Sequence, residues 1–284
     1  MKEAYGFIEF ETIQEFADWL VKQNVKRKIT TLQVHHMWLP DYSCWKTDNA
    51  LRRQKNTKDY HINHNKWGDI AQHFSICPNG HIVTGRSLEK TPIGIKGWNT
   101  NSVCTEIYGN FDKGYDTMNS VQKKAVIAFY ALMSWKFNIG INSTHIRPHC
   151  WFTSDGRYLG NYSQPKSAKS CPGTGFFGGN TKASFNANFY PLIKAFDVRP
   201  YVDSTYKGEN DIVIENVDVK DFLVKVITET LNIRKGPGTS YDKVGSLKKG
   251  DVYTIVETNE AGTWGKLKSG QGWINIKSSY VEKL

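Results

Sequence analysis

Residues 30–37, TTLQVHHM, predict the strand around which the rest of the fold is arranged. Apolar Leu32 and Val34 alternate with polar neighbours, as in a half-buried strand, and the run ends in a histidine pair before Trp38-Leu39-Pro40. Because neighbouring side chains of a strand point to opposite faces, only one of His35 and His36 can enter a given site. The strand pattern alone does not decide which of the two histidines enters the site.

A second stretch, residues 169–173, KSCPG, places a cysteine at a rigid turn, because proline and glycine follow Cys171. Lys169 brings an ammonium group close, and a nearby cation lowers the pKa of a thiol and favours the thiolate. His149 ends another short apolar segment. Two histidines and a cysteine would give zinc three protein ligands and leave one position for water, as in catalytic zinc sites.

Other residues with metal-binding or acid–base chemistry leave more than one interpretation open. Glu106 lies in a predicted strand over 101–109, and a carboxylate there is costly to bury without a partner, so its face is either exposed or part of a site. His61 and His64, in the polar segment 41–66 that we interpret as irregular, could share one face and hold a second metal. Cys77, Cys104 and Cys150 are expected in the core as reduced thiols, because five cysteines without framework spacing do not indicate disulfides.

The composition indicates a soluble globular protein with room for two domains. The chain has 284 residues, 39% of them hydrophobic, and a formal net charge of +10. No apolar run approaches the roughly 20 residues needed to span a bilayer, so no membrane insertion is expected. The N-terminus lacks the pattern of a signal peptide, so we expect synthesis in a cytoplasm. The positive charge suits an anionic polymer, but no nucleic-acid-binding motif is present, so nucleic acid is not an expected partner.

Hydrophobic periodicity and turn signals divide the chain into two predicted domains and a linker. Residues 1–200 alternate helices and strands, with helices over 12–23, 120–137 and 185–196 and a hairpin around Asn79-Gly80. The helix over 120–137 is expected to pack on the core with one face, which includes Val121 and Ala125. Residues 201–222 hold six acidic and two basic side chains and no long-range periodicity, which indicates a linker. Residues 223–284 show short alternating strands with frequent turns, which predict a small all-β barrel.

Four sequence blocks, in this order, resemble one known family: Val34-His35-His36, Gln72-His73-Phe74, residues 101–107 (NSVCTEI), and Pro148-His149 together with 169–173. They are similar to the type-2, zinc-dependent N-acetylmuramoyl-L-alanine amidases, which are related to peptidoglycan recognition proteins and are common in phage endolysins. The resemblance implies an α/β fold in which helices flank a mixed central sheet. Residues 226–284 resemble a bacterial SH3-like cell-wall-binding domain, and the combination is typical of a phage or prophage endolysin of a Gram-positive host.

The resemblance places the metal ligands on His35, His149 and Cys171, with Zn²⁺ as cofactor. It implies hydrolysis of the amide between N-acetylmuramic acid and L-alanine in bacterial peptidoglycan, after release of the protein to the wall. Glu106 is expected to move the proton and Lys169 to stabilise the oxyanion.

Two departures from the family pattern stand out. Gln72 occupies the place where the family often has a tyrosine. The segment between His149 and Cys171 is longer than is usual in the family, so His145 is an alternative to His149 as the second metal ligand.

Two alternatives remain open at this stage. The chain could be a non-catalytic peptidoglycan receptor, although such proteins generally lack the cysteine that this chain has. In the C-terminal domain, the aromatic side chains could bind the wall, or they could form the core of a small barrel, which is the interpretation we favour from the sequence. These side chains are Tyr241, Tyr253, Trp264 and Trp273.

Overall fold

The structure is a computed structural model that describes residues 1–45, 49–205, 222–259 and 263–283. It contains two compact units, one built on a mixed sheet and the other on an antiparallel sheet. Most of the predicted linker, residues 206–221, lies outside the described residues, so the boundaries at 200 and 223 stay predictions. Helix α6 (Arg199–Val202) crosses the first of them.

The first unit is organised by a seven-stranded sheet of order β1-β2-β5-β4-β6-β3-β7. Strands β3, β6 and β7 run parallel, as do β4 and β6, whereas the pairs on the β1 side are antiparallel. The sheet is therefore mixed, as predicted. Its strands are β1 (Lys2–Ala4), β2 (Phe7–Phe10), β3 (Thr31–His36), β4 (Phe74–Ile76), β5 (Ile82–Thr84), β6 (Ser102–Ile107) and β7 (Ile146–Pro148).

Helices flank this sheet. The helices are α1 (Ile13–Val21), α2 (Ala50–Asn63), α3 (Ser120–Lys136), α4 (Lys182–Ser184), α5 (Tyr190–Ala195) and α6, with a π-helical turn at Phe185–Phe189 between α4 and α5. Thr12 caps α1 by accepting the Glu15 N–H, at 3.2 Å. None of the described helices combines the length and the apolar character needed to cross a membrane.

The strand alternation sorts the side chains of the sheet between two faces. Phe74 of β4 packs on Phe129 of α3, with ring centroids 5.2 Å apart, and Phe16 of α1 lies 5.3 Å from the same ring. Phe74 is in register with Thr105, so Glu106, the next residue of β6, points to the opposite face. This opposite face carries the polar side chains considered below.

Two expectations for the first unit were wrong in detail. Segment 41–66 contains the 14-residue helix α2, which was missed because its residues are polar almost all round and it buries only Ala50 and Gln54. Helix α3 was predicted to bury one face that includes Val121. Val121 is exposed, and from Ala125 to Ser134 the helix is buried on every side.

The second unit is an all-antiparallel sheet of order β10-β9-β13-β12-β11-β8-β14, in agreement with the predicted all-β region. Val226, Ile233 and Ile274 are among the aliphatic residues of its core. Trp264 is buried as predicted, Tyr253 and Trp273 are partly buried, and Tyr241 is exposed. Its strands are β8 (Phe222–Val226), β9 (Thr230–Arg234), β10 (Lys243–Lys248), β11 (Val252–Thr258), β12 (Trp264–Leu267), β13 (Trp273–Asn275) and β14 (Val281–Lys283).

Candidate active site

Three side chains that are far apart in sequence converge at the carboxyl ends of the parallel strands. His35 lies near the end of β3, His149 directly follows β7, and Cys171 sits in the loop that returns past them. One ligand atom from each lies within 4.8 Å of the other two. The imidazole rings of His35 and His149 meet at 66°, with centroids 4.9 Å apart.

His36, the other member of the histidine pair, has a structural position. Its Nδ1 accepts the Phe111 backbone N–H at 3.1 Å, and its own backbone N–H points to the Cys171 sulfur at 3.4 Å. Strand alternation therefore directs His35 to the cluster and uses His36 to hold the surrounding loops.

His145, the rival to His149, lies at the other end of β7. Its Nδ1 is 3.1 Å from the Thr30 carbonyl oxygen, just before β3 begins. The structure thus brings His149, and not His145, to His35 and Cys171.

The loop around Cys171 is fixed by hydrogen bonds to neighbouring segments. The Cys150 N–H donates to the Cys171 carbonyl at 2.8 Å, and the Ser170 hydroxyl donates to Asp112 Oδ2 at 2.8 Å. Gly173 adopts a φ of +116°, and a Cβ there would lie 2.3 Å from the Phe111 carbonyl carbon, so only glycine fits this turn.

The expectation that Lys169 leaves the Cys171 thiol with a lowered pKa was wrong. Lys169 acts in the expected direction, but burial dominates and raises the pKa of this thiol well above its usual value. Burial also lowers the pKa of His35 well below its usual value and that of His149 to about 4. Both imidazoles are therefore neutral near pH 7, the state in which histidine binds a metal.

Glu106 stands beside this cluster. It is in register with His35 across the parallel pair β3–β6, and its Oε1 lies 3.8 Å from His35 Nδ1. Its Oε2 is buried and has no hydrogen-bond partner among the described residues. Burial raises the pKa of Glu106 to about 8, against the opposing charge of Lys169. Of the two interpretations left open, the structure supports a carboxyl group that faces the site.

Gln72, at the position where a tyrosine is common in the family, belongs to a hydrogen-bond chain that sequence reasoning missed. Gln54 Nε2 donates to Thr84 O at 2.9 Å, so its Oε1 faces Ser75, whose hydroxyl donates to it at 2.8 Å. Ser75 Oγ then accepts from Gln72 Nε2 at 3.0 Å. The chain leaves Gln72 Oε1 buried and without a partner in the described part of the structure.

Lys169 is exposed at the groove and makes no ion pair with any described residue. The groove has a volume of about 830 Å³ and also holds the three clustered side chains. Helix α2 contributes one wall, and the segment after β3 contributes Trp38, an exposed aromatic residue. The α2 residues that line it are Arg53, Asn56, Thr57, Tyr60 and His61.

A second set of candidate donors shares His35. Cys104 and Glu106 are two residues apart on β6, and one ligand atom from each lies within 4.8 Å of the other and of His35. Cys104 is fully buried and does not line the groove, so we favour the set with His149 and Cys171.

A second metal site at His61 and His64 is not supported among the residues described. His61 Nδ1 accepts the Ala71 N–H at 3.1 Å, and His64 stacks on Tyr60.

The mixed sheet, its flanking helices and this groove form an amidase/peptidoglycan-recognition fold. The family model described as N-acetylmuramoyl-L-alanine amidase matches residues 25–174, slightly more than half of the 284 residues, and the chain therefore belongs to that family. The model of the bacterial SH3 domain matches residues 229–282, within the second unit.

Curated relatives match over a shorter region. Peptidoglycan-recognition protein 2 of Holotrichia diomphalia is 33% identical over 78 residues, which are 28% of this chain and 41% of that protein. Peptidoglycan-recognition protein LB of Drosophila melanogaster is 27% identical over 78 residues, or 28% of this chain and 33% of that protein. The chain thus spans between a third and about two fifths of these relatives.

Two solved structures are similar to this chain at low sequence identity. Wild-type Drosophila PGRP-LB has a TM-score of 0.43 and 17% identity, covering 66% of this chain and 89% of its own. The N-acetylmuramoyl-L-alanine amidase LysC of Clostridium intestinale has a TM-score of 0.39 and 21% identity, covering 52% of this chain and 79% of its own.

Proposed function

We propose that the chain is a zinc-dependent N-acetylmuramoyl-L-alanine amidase. The observation that carries the proposal is the convergence of His35, His149 and Cys171 in a groove beside the partly buried carboxyl group of Glu106. Two neutral imidazoles and one thiol make up a donor set that zinc prefers, and their ligand atoms all lie within 4.8 Å of one another. The residues present therefore fit this metal.

Zinc, when bound by these three residues, would supply the positive charge that polarises the scissile carbonyl, activates water and favours the ionised form of Glu106. Hydrolysis joins the water oxygen to the carbonyl carbon and breaks the C–N bond. Glu106 would take the proton of the attacking water and return it to the leaving nitrogen of L-alanine. A carboxyl group whose pKa is raised by burial and lowered by a neighbouring cation can do both close to neutral pH.

Two further side chains would act on the substrate. Lys169, exposed at the groove and without an ion pair in the described part of the chain, would place its ammonium group against the developing oxyanion. Gln72 Oε1, oriented by the Ser75–Gln54 chain, is free to accept a substrate N–H group.

The second unit would hold the enzyme at the wall. A bacterial SH3 domain tethered to the catalytic unit raises the local concentration of the enzyme on an insoluble substrate. We further propose that the protein acts as an endolysin, made in a host cytoplasm and acting on the wall after its release.

Mass spectrometry of fragments released from purified cell walls tests this function. The proposal expects stem peptides with a free L-alanine amine and glycans with an intact lactyl carboxylate. A protein that binds walls and releases neither product would instead be a peptidoglycan receptor. Digestion with Glu106→Gln in parallel controls for contaminating hydrolases.

A further inference from the structure

Gln33 lies two residues before His35 on β3, and both side chains point to the groove face of the sheet. It is buried, and its position between Leu32 and Val34 makes it the polar member of an otherwise apolar part of the strand. A buried amide must find partners for both its oxygen and its nitrogen.

The hydrogen bonds of its nitrogen decide how the amide is turned. Gln33 Nε2 lies 3.0 Å from the Trp98 carbonyl oxygen and 2.9 Å from Ser102 Oγ. Ser102 Oγ uses its own proton on the Asn99 carbonyl, at 3.0 Å, and therefore accepts from Gln33. If the amide were turned the other way, Gln33 Oε1 would face the Trp98 carbonyl oxygen, and two acceptors would repel each other. The nitrogen therefore faces Trp98 and Ser102.

The amide oxygen consequently faces His35. Gln33 Oε1 is 3.2 Å from His35 Nε2, and because an amide oxygen only accepts, Nε2 must carry the proton. The neutral ring then keeps its lone pair on Nδ1, the atom that lies 3.8 Å from Glu106 Oε1.

The loop that contains Gly94 leaves space for the Gln33 amide. A Cβ at Gly94 would lie 2.0 Å from Gln33 Oε1 and 3.0 Å from Cys104 Sγ. The loop is held in place by Asn99 Oδ1, which accepts the N–H groups of Gly94 and Ile95 at 3.0 Å each.

We propose that Gln33 is a positioning residue that fixes the Nε2–H tautomer of His35 and aims Nδ1 at the metal. Partners of this kind typically change metal affinity by about 10–100-fold. The inference rests on the metal site of the proposed function but not on amide hydrolysis.

Zinc affinity of the full-length chain, measured by competition with a chromophoric chelator, tests the inference. We expect Gln33→Leu, which removes the acceptor, to bind zinc about 10–100-fold more weakly. Gln33→Glu keeps an acceptor for Nε2–H, although its second oxygen faces the Trp98 carbonyl oxygen, and should bind zinc more tightly than Gln33→Leu does. Equal zinc affinity of Gln33→Leu and the wild type would overturn the proposal.

Gly94→Ala provides a second variant in which every donor and acceptor is retained. Its methyl group should displace the Gln33 amide and weaken zinc binding, whereas Gly68→Ala, at a glycine with nothing within 4 Å of the added Cβ, should not.

Long-range ¹H–¹⁵N NMR of the zinc-free wild type reads the tautomer of His35 directly. Protonation at Nδ1 would contradict the proposal even if Gln33→Leu failed to fold. Intact zinc binding and tautomer without hydrolysis would instead reject only the amidase function.

Discussion

His35 and Glu106 are register partners in two parallel strands, with 3.8 Å between Nδ1 and Oε1. The pairing places a carboxyl group beside a candidate metal ligand, and both side chains lie on strands rather than on loops. Strands position side chains more rigidly than loops do, and a catalytic group benefits from such preorganisation. The relationship therefore links the fold to the proposed chemistry.

Glu106→Gln should abolish hydrolysis while zinc stays bound. The amide keeps the size of the side chain but cannot take a proton from water, and general acid–base catalysis typically contributes about 10²–10⁴-fold in rate. Turbidity loss of purified walls gives the rate, and elemental analysis gives the zinc content. Glu282→Gln, at an exposed position of the second unit, is the control. A fully active Glu106→Gln enzyme would rule out the proton-transfer role.

Lys169→Met should lower kcat by about 10²-fold with little change in KM, because an oxyanion-stabilising charge acts mainly in the transition state. Steady-state kinetics on a soluble muropeptide separate the two constants. Lys166→Met removes an exposed charge three residues away and should retain wild-type rates. If both variants behaved alike, Lys169 would be an ordinary surface lysine.

Acid should destabilise the fold through His73. Its Nδ1 accepts the Cys104 N–H at 3.1 Å, its Nε2 donates to Lys90 O at 2.9 Å, and burial lowers its pKa to about 3. Below about pH 6.5 His73 binds a proton in the unfolded chain but stays neutral in the folded chain. The free energy of unfolding therefore falls as the pH drops from about 6.5 towards 3, by up to about 1.4 kcal/mol per pH unit from this histidine.

Urea unfolding between pH 7.5 and 5, with a fixed excess of chelator, measures this slope. His73→Gln should be less stable at pH 7.5 but show a shallower dependence on pH, and His64→Gln, at an exposed ring, should keep the wild-type slope. Identical slopes for His73→Gln and the wild type would show that His73 does not contribute.

Tyr241→Ala should weaken binding to cell walls. The ring is exposed but held against Gly236, where an added Cβ would lie 2.5 Å from it, so a flat aromatic surface is presented to solvent. Loss of one aromatic contact of about 0.5–1.5 kcal/mol corresponds to roughly 2–12-fold weaker binding in a pelleting assay. Tyr280→Ala, at another exposed tyrosine, is the matched control, and equal loss in both would argue against a site at Tyr241.

Local pattern was sufficient for the two strands that carry His35 and Glu106, but not for helix α2, which lines the groove. The strand predicted over 30–37 is Thr31–His36 in the structure, and the hairpin around Asn79-Gly80 pairs β4 with β5 as expected. Alternation along β3 also explains why only one histidine of the pair enters the cluster.

Features that depend on tertiary contacts could not be predicted from the sequence. The pKa of Cys171 follows burial by distant segments rather than the nearby lysine. The roles of Gln33 and Gln72 come from partners that are far away in the chain, such as Trp98 and Gln54. A polar residue on the same strand face as His35 was the available signal for Gln33, and it becomes informative only once burial is known.

The most direct test of the account compares zinc content in Cys171→Ser and Cys104→Ser. Both replace a buried thiol close to His35, but only Cys171 belongs to the set that also contains His149. We expect about one zinc per wild-type and Cys104→Ser chain after dialysis, and loss of zinc together with amide cleavage in Cys171→Ser. A Cys171→Ser protein that kept its zinc and still released L-alanine-terminated peptides would contradict the proposed site.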